Sequence, residues 1–265
     1  MRKWRLKRGL PVASCAMGKL LLGVNVDHVV TLRQARYREM LESPNAEPSV
    51  LEAALISEQA GADSITIHLR ADRRHIQDAD VFLLRQKIKT KLNLEMGNTA
   101  EILQIALRVK PDFVCLVPEH RQEVTTEGGL DVAGQKDDLI NTVRSLQANG
   151  TRVSMFIDPD LHQIRASHEI GADMVELHTG TFANHSGARR QIEIDRLRAA
   201  AVLGHELGLQ INAGHGLTTS NLPELWSVPH LVELNIGHHI VARAVFIGLD
   251  DAVREMTEVM KGYSV

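Results

Sequence analysis

From Lys19 onward, short apolar, β-branched runs alternate with longer segments whose apolar residues recur at helical spacing. The short runs are Leu20–Val26, Ser64–Leu69, Leu92–Met96, Phe113–Val117, Val153–Ile157, Met174–Leu177, Gln210–Asn212 and Leu231–Ile236. Most are nearly continuous in apolar character, as expected of parallel strands covered on both faces. Between them, Ser49–Gly61, Ala100–Lys110, Asp137–Gly150, Ile192–Gly208 and His239–Lys261 have helical periodicity. Gly61, Pro111 and Asn149-Gly150 supply stop signals. The alternation predicts βαβ units and a parallel sheet. Eight strands predict an α/β fold, a closed (β/α)8 TIM barrel in a single domain over 19–265.

An open, doubly wound sheet would advertise a Gly-rich turn after its first strand. Here that turn is Asn25-Val26-Asp27-His28. An internal echo agrees with the barrel. Ala60-Gly61-Ala62-Asp63 leads into Ile65-Thr66-Ile67-His68, and Ile170-Gly171-Ala172-Asp173 leads into Val175-Glu176-Leu177-His178. Two connections are long: residues 33–48 between strand one and its helix, and 118–136 after strand four. Long loops in compact domains are often lids or binding loops.

Polar residues gather where the apolar runs end. Strand one ends in Asn25, Asp27 and His28; strand two in His68 and Arg70, then Arg73, Arg74 and His75. Strand three holds Glu95, strand five leads to Asp158, and strand six holds Glu176 before His178. Strands seven and eight run into Asn212-Ala-Gly-His215-Gly216 and Asn235-Ile-Gly237-His238. In a barrel all these ends meet at one mouth, where such enzymes keep their active sites. A carboxylate inside an apolar strand, such as Glu95, has a raised pKa unless it is paired, which suits a general acid or base near neutrality. Glu176 is the same kind of group or an orienter for a histidine. The Gly-His turns after strands seven and eight suit phosphate, because glycine lets backbone N–H groups approach an anion. Arg70 to His75 form a second cationic group, and Arg33, Arg36 and Arg38 a third on loop one; Arg73-Arg74 reads best as a solvated face. Two phosphorylated substrates would account for so many cations. The competing chemistry is a metal-dependent sugar-phosphate epimerase or aldolase-like barrel, but zinc motifs such as H-E-x-x-H are missing.

Composition narrows the field. The chain has 265 residues, 30 Lys+Arg against 33 Asp+Glu, and 3% aromatics. This excludes collagen, disulfide scaffolds and disordered chains, and leaves no electrostatic footprint for nucleic acid. No apolar run reaches the roughly 18 residues of a membrane span. Cys15 and Cys115 form no metal or redox motif, and free thiols fit a cytoplasmic location. Residues 1–18 carry Arg2, Lys3, Arg5, Lys7 and Arg8, followed by an apolar stretch broken by Pro11. That makes a poor signal peptide and predicts a disordered basic tail.

Several blocks together resemble the pyridoxine 5′-phosphate synthase family. They are Gly23-Val-Asn-Val-Asp-His28 with Thr31-Leu-Arg33 and Arg36, Thr66-Ile-His-Leu-Arg70-Ala-Asp-Arg-Arg-His75, Asn93-Leu-Glu95-Met, and Leu116-Val-Pro-Glu119. Glu123-Val-Thr-Thr-Glu-Gly-Gly-Leu-Asp131, Glu176-Leu-His-Thr-Gly180, Asn212-Ala-Gly-His-Gly-Leu217 and Glu233-Leu-Asn-Ile-Gly-His238 complete the set. The resemblance implies a barrel enzyme of vitamin B6 synthesis that condenses 1-deoxy-D-xylulose 5-phosphate with 3-amino-2-oxopropyl phosphate. It implies no metal or organic cofactor, and a homo-octamer. By resemblance His68 and Glu95 are proton acceptors, His215 is a proton donor and Glu176 stabilises the transition state. Asn25, Arg36, Gly216, Gly237 and His238 would contact the aminoketone phosphate; Asp27, His28, Arg70, His75 and Thr125 would contact the pentulose phosphate. The segment Tyr37–Glu47 is longer than the family's usual connection, and the basic tail is extra.

Overall fold

The computed structural model describes residues 19–119 and 128–264. The tail expected at 1–18 and the candidate Thr125 lie outside the described residues. Eight parallel strands close in chain order: β1 (Leu21–Asn25), β2 (Ser64–His68), β3 (Lys91–Met96), β4 (Phe113–Leu116), β5 (Arg152–Ile157), β6 (Met174–His178), β7 (Gln210–Gly214) and β8 (Leu231–Ile236). β8 pairs back onto β1, so the sheet has no edge. Every predicted run holds a strand, with ends moved by a residue or two.

The helices are α1 (Asp27–Tyr37), α2 (Val50–Ala60), α3 (Asp78–Lys87), α4 (Ala100–Val109), α5 (Lys136–Ala148), α6 (Leu161–Glu169), α7 (Gly180–Asn184), α8 (Gly187–Glu206), α9 (His238–Ile247) and α10 (Leu249–Met260). Ser49 caps α2 by accepting from the Glu52 N–H, and left-handed Gly61 ends it, as the sequence predicts. Loop one is a correction. The chain turns into α1 directly at Asp27, and Arg33 lies buried on its inner face. Its guanidinium makes a two-pronged bond to Asp80 of α3, at 2.9 and 2.6 Å, so it serves packing between helices. The helices α3 and α6 were not expected, because each is short and mostly polar on its outer face. The expected single helix His239–Lys261 is two, since Gly248 at φ 84° breaks it.

Along most strands apolar and polar side chains alternate, β4 being apolar throughout. One set, including Leu22, Val24, Ile65, Ile67, Leu92 and Leu94, joins the apolar core. The other set meets inside the barrel, which its bonding pattern proves. Ser64 of β2 donates to Glu233 of β8 at 2.7 Å, and Thr66 of β2 donates to Asn235 of β8 at 3.0 Å. Asn235 in turn donates to Glu176 of β6 at 2.6 Å. Each of these bonds skips a strand, and alternate strands of a barrel supply one interior layer. The skipped strands carry glycine. A Cβ on Gly23 of β1 would lie 2.1 Å from Asn235 Oδ1, and one on Gly214 of β7 would lie 2.4 Å from Glu176 Oε1.

The closed end of the barrel is tied by aspartates placed just before even-numbered strands. Asp63, Asp112 and Asp173 accept the N–H of Leu22, Leu92 and Val153, each on the preceding strand. The sequence echo ending in Asp63 and Asp173 is two of these three ties. No described helix is long and apolar enough to cross a membrane.

Replacing Gly23 by Ala should destabilise the protein by about 1–3 kcal/mol, because the methyl group has no room beside Asn235. Urea unfolding measures this; an unchanged midpoint would show that the interior layer gives way easily.

Candidate active site

The carboxyl ends of the strands surround a cavity of about 690 Å³. Of the described residues that the resemblance assigned to the site, all but Arg36 line it. Asn25, Asp27 and His28 come from the β1–α1 turn, His68, Arg70 and His75 from β2 and its loop, and Glu95 and Glu176 from β3 and β6. His215, Gly216, Gly237 and His238 come from the ends of β7 and β8. Arg36 stands in the last turn of α1, exposed, with its guanidinium 5.6 Å from the Tyr37 ring centre. Arg73 is engaged by Asp78 and Glu101. Arg74, expected on a solvated face, lines the cavity and is paired with Asp72.

Backbone strain marks the β7 turn. His215 has φ 84° and Gly216 has φ 73°, two consecutive left-handed residues that turn the ring toward the cavity. Beyond β8, Gly237 precedes the first turn of α9, which directs backbone N–H groups at the same region. A Cβ on Gly237 would come within 2.9 Å of the Asn25 carbonyl, so the close approach of β8 to β1 requires glycine.

Burial separates the ionisable groups. Glu95 is held well above the ordinary carboxyl range by burial, then by repulsion from Glu176 and Asp27. Glu176 is raised to about 7, chiefly by burial and against the hydrogen bond from Asn235. Asp27 is raised by burial, although His68 and Asn25 oppose the shift. The histidines go the other way. His215 is pushed down to about 4 by burial and by the nearby rings of His178, His28 and His238. His75 falls to about 3 through burial, with His68 and Arg70 adding to it. Burial thus draws Glu95, Glu176 and Asp27 toward their protonated forms, with Glu176 near half-protonated at neutral pH, and keeps His215 and His75 neutral there.

Comparison with known proteins gives this cavity a context. Residues 22–262 match the family described as "Pyridoxal phosphate biosynthesis protein PdxJ". The chain belongs to the PdxJ family. It is 57% identical over 240 residues to a pyridoxine 5′-phosphate synthase of Akkermansia muciniphila, covering 90% of this chain and 98% of that one. A Synechococcus protein of the same name is 57% identical over 242 residues, 91% of this chain and 98% of its own. Among solved structures, phosphoribosyl anthranilate isomerase from Thermotoga maritima superimposes with a TM-score of 0.59 at 14% identity. It covers 92% of this chain and 99% of that one, and the likeness is one of fold.

Within this PdxJ barrel, two residues emerge that sequence reasoning quoted but gave no task. Asn235 anchors the Glu176 carboxylate. Glu119, beyond β4, reaches back to His68. His178, counted among the mouth histidines, stands behind the wall, bonded through Nδ1 to Asp158 at 3.0 Å and 5.1 Å from the His215 ring. A polar residue one position after an apolar one on most strands was the available signal for the interior layer, masked by the strongly apolar neighbours.

The low affinity of two rings for protons has a stability consequence. The unfolded chain protonates both near pH 6.5, whereas the folded chain does so near 4 at His215 and near 3 at His75. Between those values acid favours unfolding, so this contribution is complete above pH 6.5 and is lost as the pH falls. Nitrogen-15 NMR should find both rings neutral at pH 5.5, and His75→Gln should lose less stability than the parent between pH 6.5 and 4. Titration of either folded ring near 6.5 would refute the assignment.

Proposed function

We propose that this protein is a pyridoxine 5′-phosphate synthase. It joins 1-deoxy-D-xylulose 5-phosphate to 3-amino-2-oxopropyl phosphate, releasing inorganic phosphate and water. The observation that carries the reading is the set of proton carriers of opposed tendency around one cavity, in a chain of the PdxJ family. The condensation needs an amine to attack a ketone, a carbinolamine to lose water, phosphate to leave, and an aldol-type closure with a second dehydration. Each step moves a proton, and several acid–base groups of different pKa in a confined cavity serve such a sequence.

In this reading His68 and Glu95 accept protons and His215 donates one. Because Glu95 rests protonated, it first gives its proton to departing water and then takes one back. His215 rests neutral, and the arrival of phosphate dianions beside it raises its proton affinity so that it can act as an acid. Glu176, fixed by Asn235, faces the positive charge of the imine-forming nitrogen. The Gly216, Gly237 and His238 rim suits one phosphate, and the Arg70, His75 and His28 side suits the other. A cavity of about 690 Å³ accommodates both reactants, and holding them in register supplies much of the rate. The homo-octameric assembly and cytoplasmic location implied by the resemblance belong to the same proposal. Val245 and Phe246, exposed on α9, support association of subunits.

One observation favours a second reading, a metal-dependent barrel enzyme. Asp27, His68 and Glu95 each offer a ligand atom within 4.8 Å of the others. Against it, the Asp27 oxygens already accept from the His68 N–H and the Asn25 amide, and Glu95 favours its protonated form. Purified protein mixed with the two phosphates should yield pyridoxine 5′-phosphate and free phosphate, with full rate after exhaustive chelation. A strict requirement for added metal would favour the second reading, and no product in either condition would reject the first. Glu95→Gln should lower kcat by about 10²- to 10⁴-fold while both phosphates still bind. Near-normal turnover would remove Glu95 from the chemistry.

A further inference from the structure

Glu119 lies outside the cavity wall, yet it is bolted in place from three sides. Its Oε2 accepts the Ala71 N–H at 3.1 Å, from the loop after β2. Its Oε1 accepts the Gly97 N–H at 3.1 Å, from the end of β3, and meets His68 Nε2 at 3.1 Å. Gly97 leaves the space this requires: a Cβ there would lie 2.9 Å from the Glu119 carboxyl carbon. One carboxylate therefore links the rims of β2, β3 and β4 and ends on the imidazole.

The bond to His68 has a direction. Burial alone would raise the proton affinity of Glu119, but the bonds from His68, Ala71 and Gly97 outweigh it and the net direction is down. An ionised carboxylate only accepts, so the proton between the two groups sits on His68 Nε2. The other ring nitrogen, Nδ1, stands 3.9 Å from Glu95 Oε2. That separation is too long for a direct hydrogen bond and leaves Nδ1 and the Glu95 carboxyl facing one another. The His68 backbone is fixed as well, its N–H donating to Asp27 Oδ1 at 2.9 Å.

We propose that Glu119 is a positioning residue that fixes the proton of His68 on Nε2 and thereby makes Nδ1, on the Glu95 side, the nitrogen that exchanges protons with substrate. The inference rests on the reading of His68 as a proton acceptor. Glu119 acts through His68 in two ways. It selects the tautomer, and it stabilises the imidazolium formed when Nδ1 takes a proton, as carboxylate–histidine pairs do in other enzymes. Asp27 and His75 also interact electrostatically with the ring, and Arg70 lines the same cavity; Glu119 is the carboxylate bonded at Nε2.

Nitrogen-15 NMR on histidine-labelled protein tests the tautomer directly. His68 Nε2 is expected to carry its proton whether the ring is neutral or charged, with Nδ1 alone titrating. A neutral ring protonated on Nδ1 overturns the proposal, without recourse to any variant. Glu119→Gln keeps the side-chain shape but presents an amide that can donate to Nε2. It should shift the neutral tautomer toward Nδ1–H and lower kcat by about 10- to 100-fold, with KM for both phosphates within about twofold. Glu119→Gln with unchanged kcat, or with reduced kcat and an unchanged His68 tautomer, overturns the positioning role. His68→Asn separates the two claims. If that variant turns over normally, the acceptor role of His68 fails, whatever tautomer the parent shows; if it is inactive while Glu119→Gln is normal, the present inference alone fails.

Discussion

The structure depends on hydrogen bonds that cross the inside of the barrel and bypass a strand. Ser64 to Glu233, Thr66 to Asn235 and Asn235 to Glu176 join β2, β8 and β6 into one interior layer. Barrels commonly fill this space with branched apolar side chains. Here polar groups take much of it, and most of them pair, because an unmatched buried group costs about 1–3 kcal/mol; Asn93 Oδ1 and Ser154 Oγ are left without a partner among the described residues. The glycines at 23 and 214 are the geometric condition for those partnerships. Cohesion from apolar burial is thus displaced outward, to the layer between strands and helices that holds Leu22, Ile65, Leu92 and their neighbours.

That polar floor shapes the electrostatics above it. Glu176 takes one end of the interior chain and also lines the cavity, close enough to Glu95 that repulsion raises the latter's proton affinity. The carboxyls of the floor are therefore drawn toward their protonated forms, while His215 on the rim is pushed the other way. Acid and base functions are set by position along the barrel axis more than by residue type. Both oriented histidines follow one plan: Glu119 backs His68 and Asp158 backs His178, each carboxylate drawn below its usual range by hydrogen bonds.

Much of this was legible in the chain. The eight apolar runs gave every strand, because parallel strands bury both faces and advertise it. The mouth residues were legible because a barrel delivers strand ends to one rim, and of the described residues assigned to the site all but Arg36 line the cavity. What was not legible follows from pairing at a distance. Nothing local distinguishes Arg33, which is locked to Asp80, from a cation awaiting a ligand. Arg74 reads as surface until the fold turns its loop toward the cavity. Helix α1 was hidden because its buried face includes Arg33 and Gln34, which break the apolar period. Glu119 closes the quoted block Leu116-Val-Pro-Glu119, but only the meeting of three loops reveals its task.

The interior chain of donors and acceptors also constrains how the sequence can drift. Thr66 gives its proton to Asn235, and Asn235 gives one to Glu176, so the identity of each is conditional on the next. An apolar replacement at any one site orphans its neighbours, and a larger one collides across Gly23 or Gly214. Accepted changes there must arrive as compensated sets, making the barrel's axis a region of strong epistasis enclosed by an outer shell that can mutate one residue at a time.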